Sequence, residues 1–144
     1  MIIYNNNYKY LCYTNLLLII SIEYFIFNTI YLNKIPNIEF LLACLLIVTI
    51  FFSQLFWNNP IQNSTIHKID AFIAKIVICL FIVYTLIYKF KIGFVIVLLA
   101  VTISFYFSNY YSKKEWCCNK HIFCHGLLHI FCFIATFYTF SPIL

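Results

Sequence analysis

Ile38-Glu-Phe-Leu-Leu-Ala-Cys-Leu-Leu-Ile-Val-Thr-Ile-Phe-Phe-Ser-Gln-Leu-Phe-Trp57 is the stretch that decides the fold. It runs for twenty residues with one charged side chain, Glu39, next to its start. A helix needs about 20 mostly apolar residues to cross the hydrocarbon of a bilayer. Four further runs of the same character flank it, at 11–32, 66–88, 92–110 and 121–140, joined by short polar connections. The expected architecture is all-α: one polytopic transmembrane bundle of about five spans, filling residues 1–144 as a single domain.

Composition points the same way. The 144 residues are 65% hydrophobic and 9% charged, with a mean hydropathy of +0.96. An ordinary soluble domain is roughly 45–50% apolar and about 25% charged. The nine basic residues are all Lys and are spread over several loops, so nothing resembles a nucleic-acid-binding stripe. Membrane lipids are the expected surroundings. Abundant Ile, Asn, Tyr and Phe suit an A+T-rich coding bias, and little chemistry is read into individual Asn or Tyr residues. Leu11–Leu32 reads as a span and not a cleaved leader, because its positive flank is only Lys9 and no small-x-small site follows. Asn33–Asn37, with Pro36, reads as the first turn.

Seven cysteines do not form an evident disulfide framework. Five lie in or beside apolar runs, where a thiol behaves as a small hydrophobe. Cys117 and Cys118 are adjacent in a polar loop near His121, and an odd count leaves at least one thiol free or paired between chains.

His121-Ile-Phe-Cys-His125-Gly-Leu-Leu-His129 carries the chemistry. Positions i, i+4 and i+8 share one helical face, and imidazoles one turn apart can grip a single metal ion. Connectivity adds a second argument. In a five-span chain, the end of span two and the starts of spans three and five lie on the N-terminal side. Ser53, Trp57, His67, Asp70, His121, His125 and His129 can therefore gather in one layer, although up to 76 residues separate them. Two other ionisable groups lie at membrane depth, Glu23 and Lys75. Each is costly alone there, and they are expected to form a buried ion pair between spans one and three.

Ser53-Gln-Leu-Phe56-Trp57, His67-Lys-Ile69-Asp70 and His125-Gly-Leu-Leu-His129 together resemble the three-part signature of the CREST superfamily of membrane hydrolases. That group includes the alkaline ceramidases and the progestin and adipoQ receptors. The resemblance implies a Zn²⁺-dependent hydrolase of lipid amides or esters, with His125 and His129 as metal ligands and Ser53 and Asp70 around the metal-bound water. Two departures stand out. Trp57 occupies the first ligand position, and family members have seven spans. Either His67, or alternatively His121, supplies the missing ligand, or the metal site is degenerate.

Blander readings exist beside these. Ser53 can return its hydroxyl to a backbone carbonyl, Asp70 can complement the dipole at a helix start, and Trp57 can belong to an interfacial aromatic belt. Three function classes follow: a ceramidase-like zinc hydrolase, a non-catalytic membrane protein with a structural or degenerate site, and a bis-histidine haem protein.

Orientation follows from the lysines. Lys9, Lys68, Lys113, Lys114 and Lys120 lie on the N-terminal side, against Lys34, Lys89 and Lys91 on the other. The positive-inside rule places the N-terminus in the cytoplasm and the C-terminus outside or in the lumen. An impermeant maleimide added to intact cells is therefore expected to leave Cys117 and Cys118 unlabelled. Labelling of either before permeabilisation reverses the orientation.

Overall fold

The computed structural model describes residues 6–32 and 37–142. One turn of 3-10 helix, Asn6–Tyr8, leads into five α-helices: α1 Lys9–Leu32, α2 Asn37–Asn58, α3 Thr65–Tyr88, α4 Ile92–Lys114 and α5 Asn119–Phe140. All five are long and apolar enough to cross a bilayer. The chain is an all-α helical bundle and an integral membrane protein whose apolar outer faces meet lipid. The turn expected at 33–37, with Pro36, falls outside the described residues except for Asn37, which starts α2. The fourth helix runs one turn past Tyr110. Lys113 and Lys114 occupy that added turn, where cations complement the negative end of the helix dipole.

The last helix in the chain is the axis of the bundle. α5 packs along α1 and α4 and also touches α3, while α2 bridges α1 and α3. α3 and α4 follow each other through a tight link yet barely touch among the described residues. The main apolar core joins Leu18, Phe25, Leu46, Val77, Phe81 and Phe140 from four helices. An added Cβ at Gly93 of α4 would lie 2.5 Å from the Tyr138 hydroxyl, the far end of a side chain of α5.

Side-chain hydrogen bonds tie the helices where apolar packing alone gives little preference, since lipid is as apolar as Leu. Asn15 donates to the Ile50 carbonyl (3.1 Å) and Gln54 to that of Cys12 (2.7 Å), joining α1 to α2. Asn28 donates to the Phe140 carbonyl at 3.1 Å, capping the last turn of α5 from α1. Thr85 and Thr139 share a hydroxyl bond of 2.7 Å between α3 and α5. Asn, into which the coding bias allowed little chemistry to be read, is thus a connector of the bundle, together with Thr and Gln.

The expected Glu23–Lys75 pair does not form within the chain. Both residues are exposed, and among the described residues the ion pair is Lys89 with Glu39, both buried. Sequence spacing gives depth along a helix but not which way a side chain faces, and depth alone made Glu23 and Lys75 look like partners. The observed pair sits at the opposite end of the bundle from the histidines. Tyr84 donates to Glu39 at 2.7 Å, and the Lys89 ammonium also donates to the Thr139 and Ser141 carbonyls, each at 2.7 Å. One cation therefore fastens the start of α2, the end of α3 and the unsatisfied carbonyls that close α5.

Breaking a buried pair by deleting one partner typically costs about 3–5 kcal/mol, because a charge is left uncompensated. Glu39→Gln and Lys89→Met are each expected to lower thermal stability in detergent by an amount in that range. The double variant should recover part of the loss. Additive losses in the double variant would show that the two charges act independently.

Candidate functional site: a histidine layer above a membrane cavity

α3 and α5 begin with the same local structure. Asn63 and Cys117 adopt left-handed backbone, with φ of 62° and 55°. The following residue caps the helix: Ser64 Oγ accepts the His67 N–H (3.2 Å), and Cys118 Sγ accepts the His121 N–H (3.4 Å). Each histidine then folds back on its own turn. His67 Nδ1 accepts the Asn63 N–H at 3.0 Å, and His121 Nδ1 accepts the Cys117 N–H at 3.2 Å. The arrangement works like a capping box, with His at the third helical position in place of Glu or Gln. Ser64-x-x-His67 and Cys118-x-x-His121 are the sequence signals for it.

The two capped ends lie side by side. The Trp116 ring is 5.1 Å from both the His67 and the His121 ring, and its indole N–H donates to the Pro60 carbonyl at 3.3 Å. Trp57 stacks parallel to Trp116 at 6.3 Å and lies 4.9 Å from the His125 ring. It is 1% exposed, and its indole Nε1–H has no hydrogen-bond partner among the described residues. Below this aromatic lid the face of α5 continues inward, with the His125 and His129 rings 4.9 Å apart.

A cavity of about 230 Å³ opens beneath, between α3 and α4, with α5 as its floor. Ser53, Asp70 and all four histidines line it. The sequence-predicted site residues thus line one cavity, from α2, α3 and α5. Ser53 and Asp70 are buried, and neither has a hydrogen bond or ion pair among the described residues. Thr49, one turn before Ser53, does return its hydroxyl to a backbone carbonyl (Leu45, 2.9 Å). Ser53 does not. Lys75 lines the cavity from α3, whereas Glu23 is not among its lining residues.

Hydrogen bonding sets what each imidazole can offer. An Nδ1 that accepts a backbone N–H carries no proton, so the ring proton of His67 and of His121 is on Nε2. His129 differs. Thr14 Oγ1 lies 3.2 Å from the Leu11 carbonyl and 2.9 Å from His129 Nδ1; where its proton goes to the carbonyl, it accepts from Nδ1–H and His129 Nε2 keeps a lone pair. His125 Nδ1 bonds the Ser108 hydroxyl at 2.9 Å, which serves as donor or acceptor. Zinc binds imidazole through a lone pair, and ligating histidines engage the other nitrogen as His125 and His129 do. His67 and His121 present N–H groups instead, and neither supplies the third ligand in this arrangement. Among the described residues no three His, Cys, Asp or Glu side chains come together as a metal-holding group. A three-ligand zinc centre does not fit these donors.

Thr14, Ser108 and Trp116 were not foreseen from sequence. The first two bond histidines from helices whose facing is invisible in a pattern apolar all round. Comparison with family models, with curated proteins and with solved structures finds no match to this chain.

The loop between α4 and α5 has a chemical signature of its own. Burial pushes the Cys117 thiol up to about 12, with the neighbouring Cys118 adding to the shift. Maleimides react with the thiolate, so Cys117 stays a neutral, unreactive thiol at working pH. In a Cys118→Ser chain, alkylation of Cys117 at pH 7 is expected to be roughly 10³-fold slower than for a free thiol of pKa about 8.5. Peptide mapping after labelling with a water-soluble maleimide checks this. Ordinary labelling of Cys117 would mean that the loop does not hold the thiol buried.

Proposed function

We propose that this chain binds one membrane lipid in the α3/α4 cavity, holding the lipid's amide or ester group at the histidine layer. The site stands where the hydrolases it resembles hold their metal, but it works by hydrogen bonding. The observation that carries this reading is the set of polar residues that line the cavity, Ser53 and Asp70 without a hydrogen bond among the described residues and Trp57 with a buried, unpartnered indole N–H. Burying such groups unpaired costs free energy, and a ligand that pairs them recovers it.

The chemistry of those groups selects the ligand. Trp57 Nε1–H, His67 Nε2–H and His121 Nε2–H are donors, suited to a carbonyl oxygen and poorly suited to a cation. Asp70 and the lone pair on His129 accept, suiting an amide N–H or a hydroxyl beside that carbonyl. Ser53 can do either. Deeper in the cavity Leu18, Leu46, Val77, Phe81 and Leu98 form apolar walls suited to an acyl chain. The volume is below the roughly 300–1,000 Å³ of a pocket that encloses a whole small molecule. It suits one chain and its polar junction, the remainder lying between α3 and α4 toward the bilayer.

The test uses purified protein in nanodiscs and a photoactivatable acyl amide. Stoichiometric crosslinking to cavity residues is expected, displaced by unlabelled acyl amide and reduced at least tenfold by Ala74→Phe, which fills the cavity wall. Zinc content should be well below one per chain and equal in wild type and a His125→Ala/His129→Ala variant. Absence of crosslinking overturns lipid binding. Stoichiometric zinc that disappears in the double variant, with release of fatty acid from a ceramide-like lipid, overturns the metal-free reading in favour of the hydrolase.

A further inference from the structure

Glu23 and Lys75 are the two ionisable groups at membrane depth that the fold leaves unexplained. Glu23 is exposed on the outer side of α1 and Lys75 is exposed on α3 at the edge of the cavity it lines, and neither has an ion pair or hydrogen bond among the described residues. One turn away on the same face, Glu23 has Ile19, Ile26 and Phe27, all exposed, and Lys75 has the exposed Phe72 on one side and the cavity-lining Ala71 and Ile78 on the other. An ionisable side chain turned to lipid at that depth is costly and calls for a partner. The two carry opposite charge, and the geometry within one chain keeps them apart.

We propose that Glu23 of one copy pairs with Lys75 of a second copy, so that the outer face of α1 docks beside α3 at the mouth of the cavity. The directions agree. α1 and α3 are separated by one hairpin and run the same way across the membrane, and copies in one membrane share orientation. The docked helices are then parallel. The depths agree as well. At 1.5 Å per residue, Glu23 lies about 21 Å from the start of α1 and Lys75 about 15 Å from the start of α3. The flexible four-carbon stem of Lys75 spans the difference. Because the two surfaces are different patches, the contact is heterologous, and repetition closes into a ring or extends as a row. Lys75 also lines the cavity, so the neighbour's carboxylate sits at the site's lateral opening.

The experiment is a charge exchange read by Förster transfer between donor- and acceptor-tagged full-length chains in lipid vesicles. Wild type is expected to show transfer above the dilution control. Glu23→Lys alone and Lys75→Glu alone should each fall to that control, since each faces like charge with like. Both substitutions in one chain should restore transfer. Mixing the two single variants should restore it only between variants, which also shows that both fold. In that mixture the lysine introduced on α1 of one chain meets the glutamate introduced on α3 of the other. A double exchange that stays at the control level, or single variants that associate like wild type, overturns the pairing. Lipid crosslinking is read separately, so failure here leaves the cavity's occupant to its own test.

Discussion

A helix in hydrocarbon must satisfy its own polar groups before it can offer any to a ligand, and α5 bears that constraint for the whole bundle. It carries three histidines and two threonines along buried faces. Each histidine, and Thr139 with them, is answered by a different neighbour. His121 turns to its own first turn, His125 to Ser108 on α4, His129 to Thr14 on α1, and Thr139 to Thr85 on α3. These bonds fix the order in which the other helices surround α5. Apolar packing could be satisfied in several rotations of each helix, whereas a hydroxyl 2.9 Å from an imidazole nitrogen is satisfied in very few.

The same bonds decide the chemistry of the layer. Four histidines so close together invite reading as a metal site, yet their nitrogens are not equivalent. Two accept backbone N–H groups and are held in the Nε2–H form. Trp57 adds a third N–H. Three N–H donors in one layer favour an oxygen acceptor over a cation, and Ser53 and Asp70 line the same cavity.

The number, type and approximate limits of the helices were legible in sequence because hydrocarbon crossing imposes length and composition together. The gathering of Ser53, Asp70 and the histidines was legible too, since alternation of direction fixes which helix ends share a side. Rotation about each axis was not. α1 and α4 are apolar around their whole circumference, so no stripe says which residues face inward, and Glu23 was assigned to the interior on depth alone. The capping role of His67 and His121 was present in the spacing after Ser64 and Cys118. It was obscured because histidine is rarely the third residue of a capping box, and because a His-x-x-x-His pattern draws attention to metal.

α3 shows how these constraints shape a cavity. Its first turn is held by the Ser64 cap and by ring contacts to Trp116 and Phe56. Its last turns are held by Tyr84, Thr85 and Lys89 against Glu39 and the end of α5. Between these clamps the side facing α4 has small residues, Ala71 and Ala74, at the cavity wall. Two fixed ends about 30 Å apart, at 1.5 Å per residue, prevent α3 from swinging as a rigid door. Widening of the cavity must come from bending of its middle turns or from side-chain movement there, and those turns are where Lys75 sits.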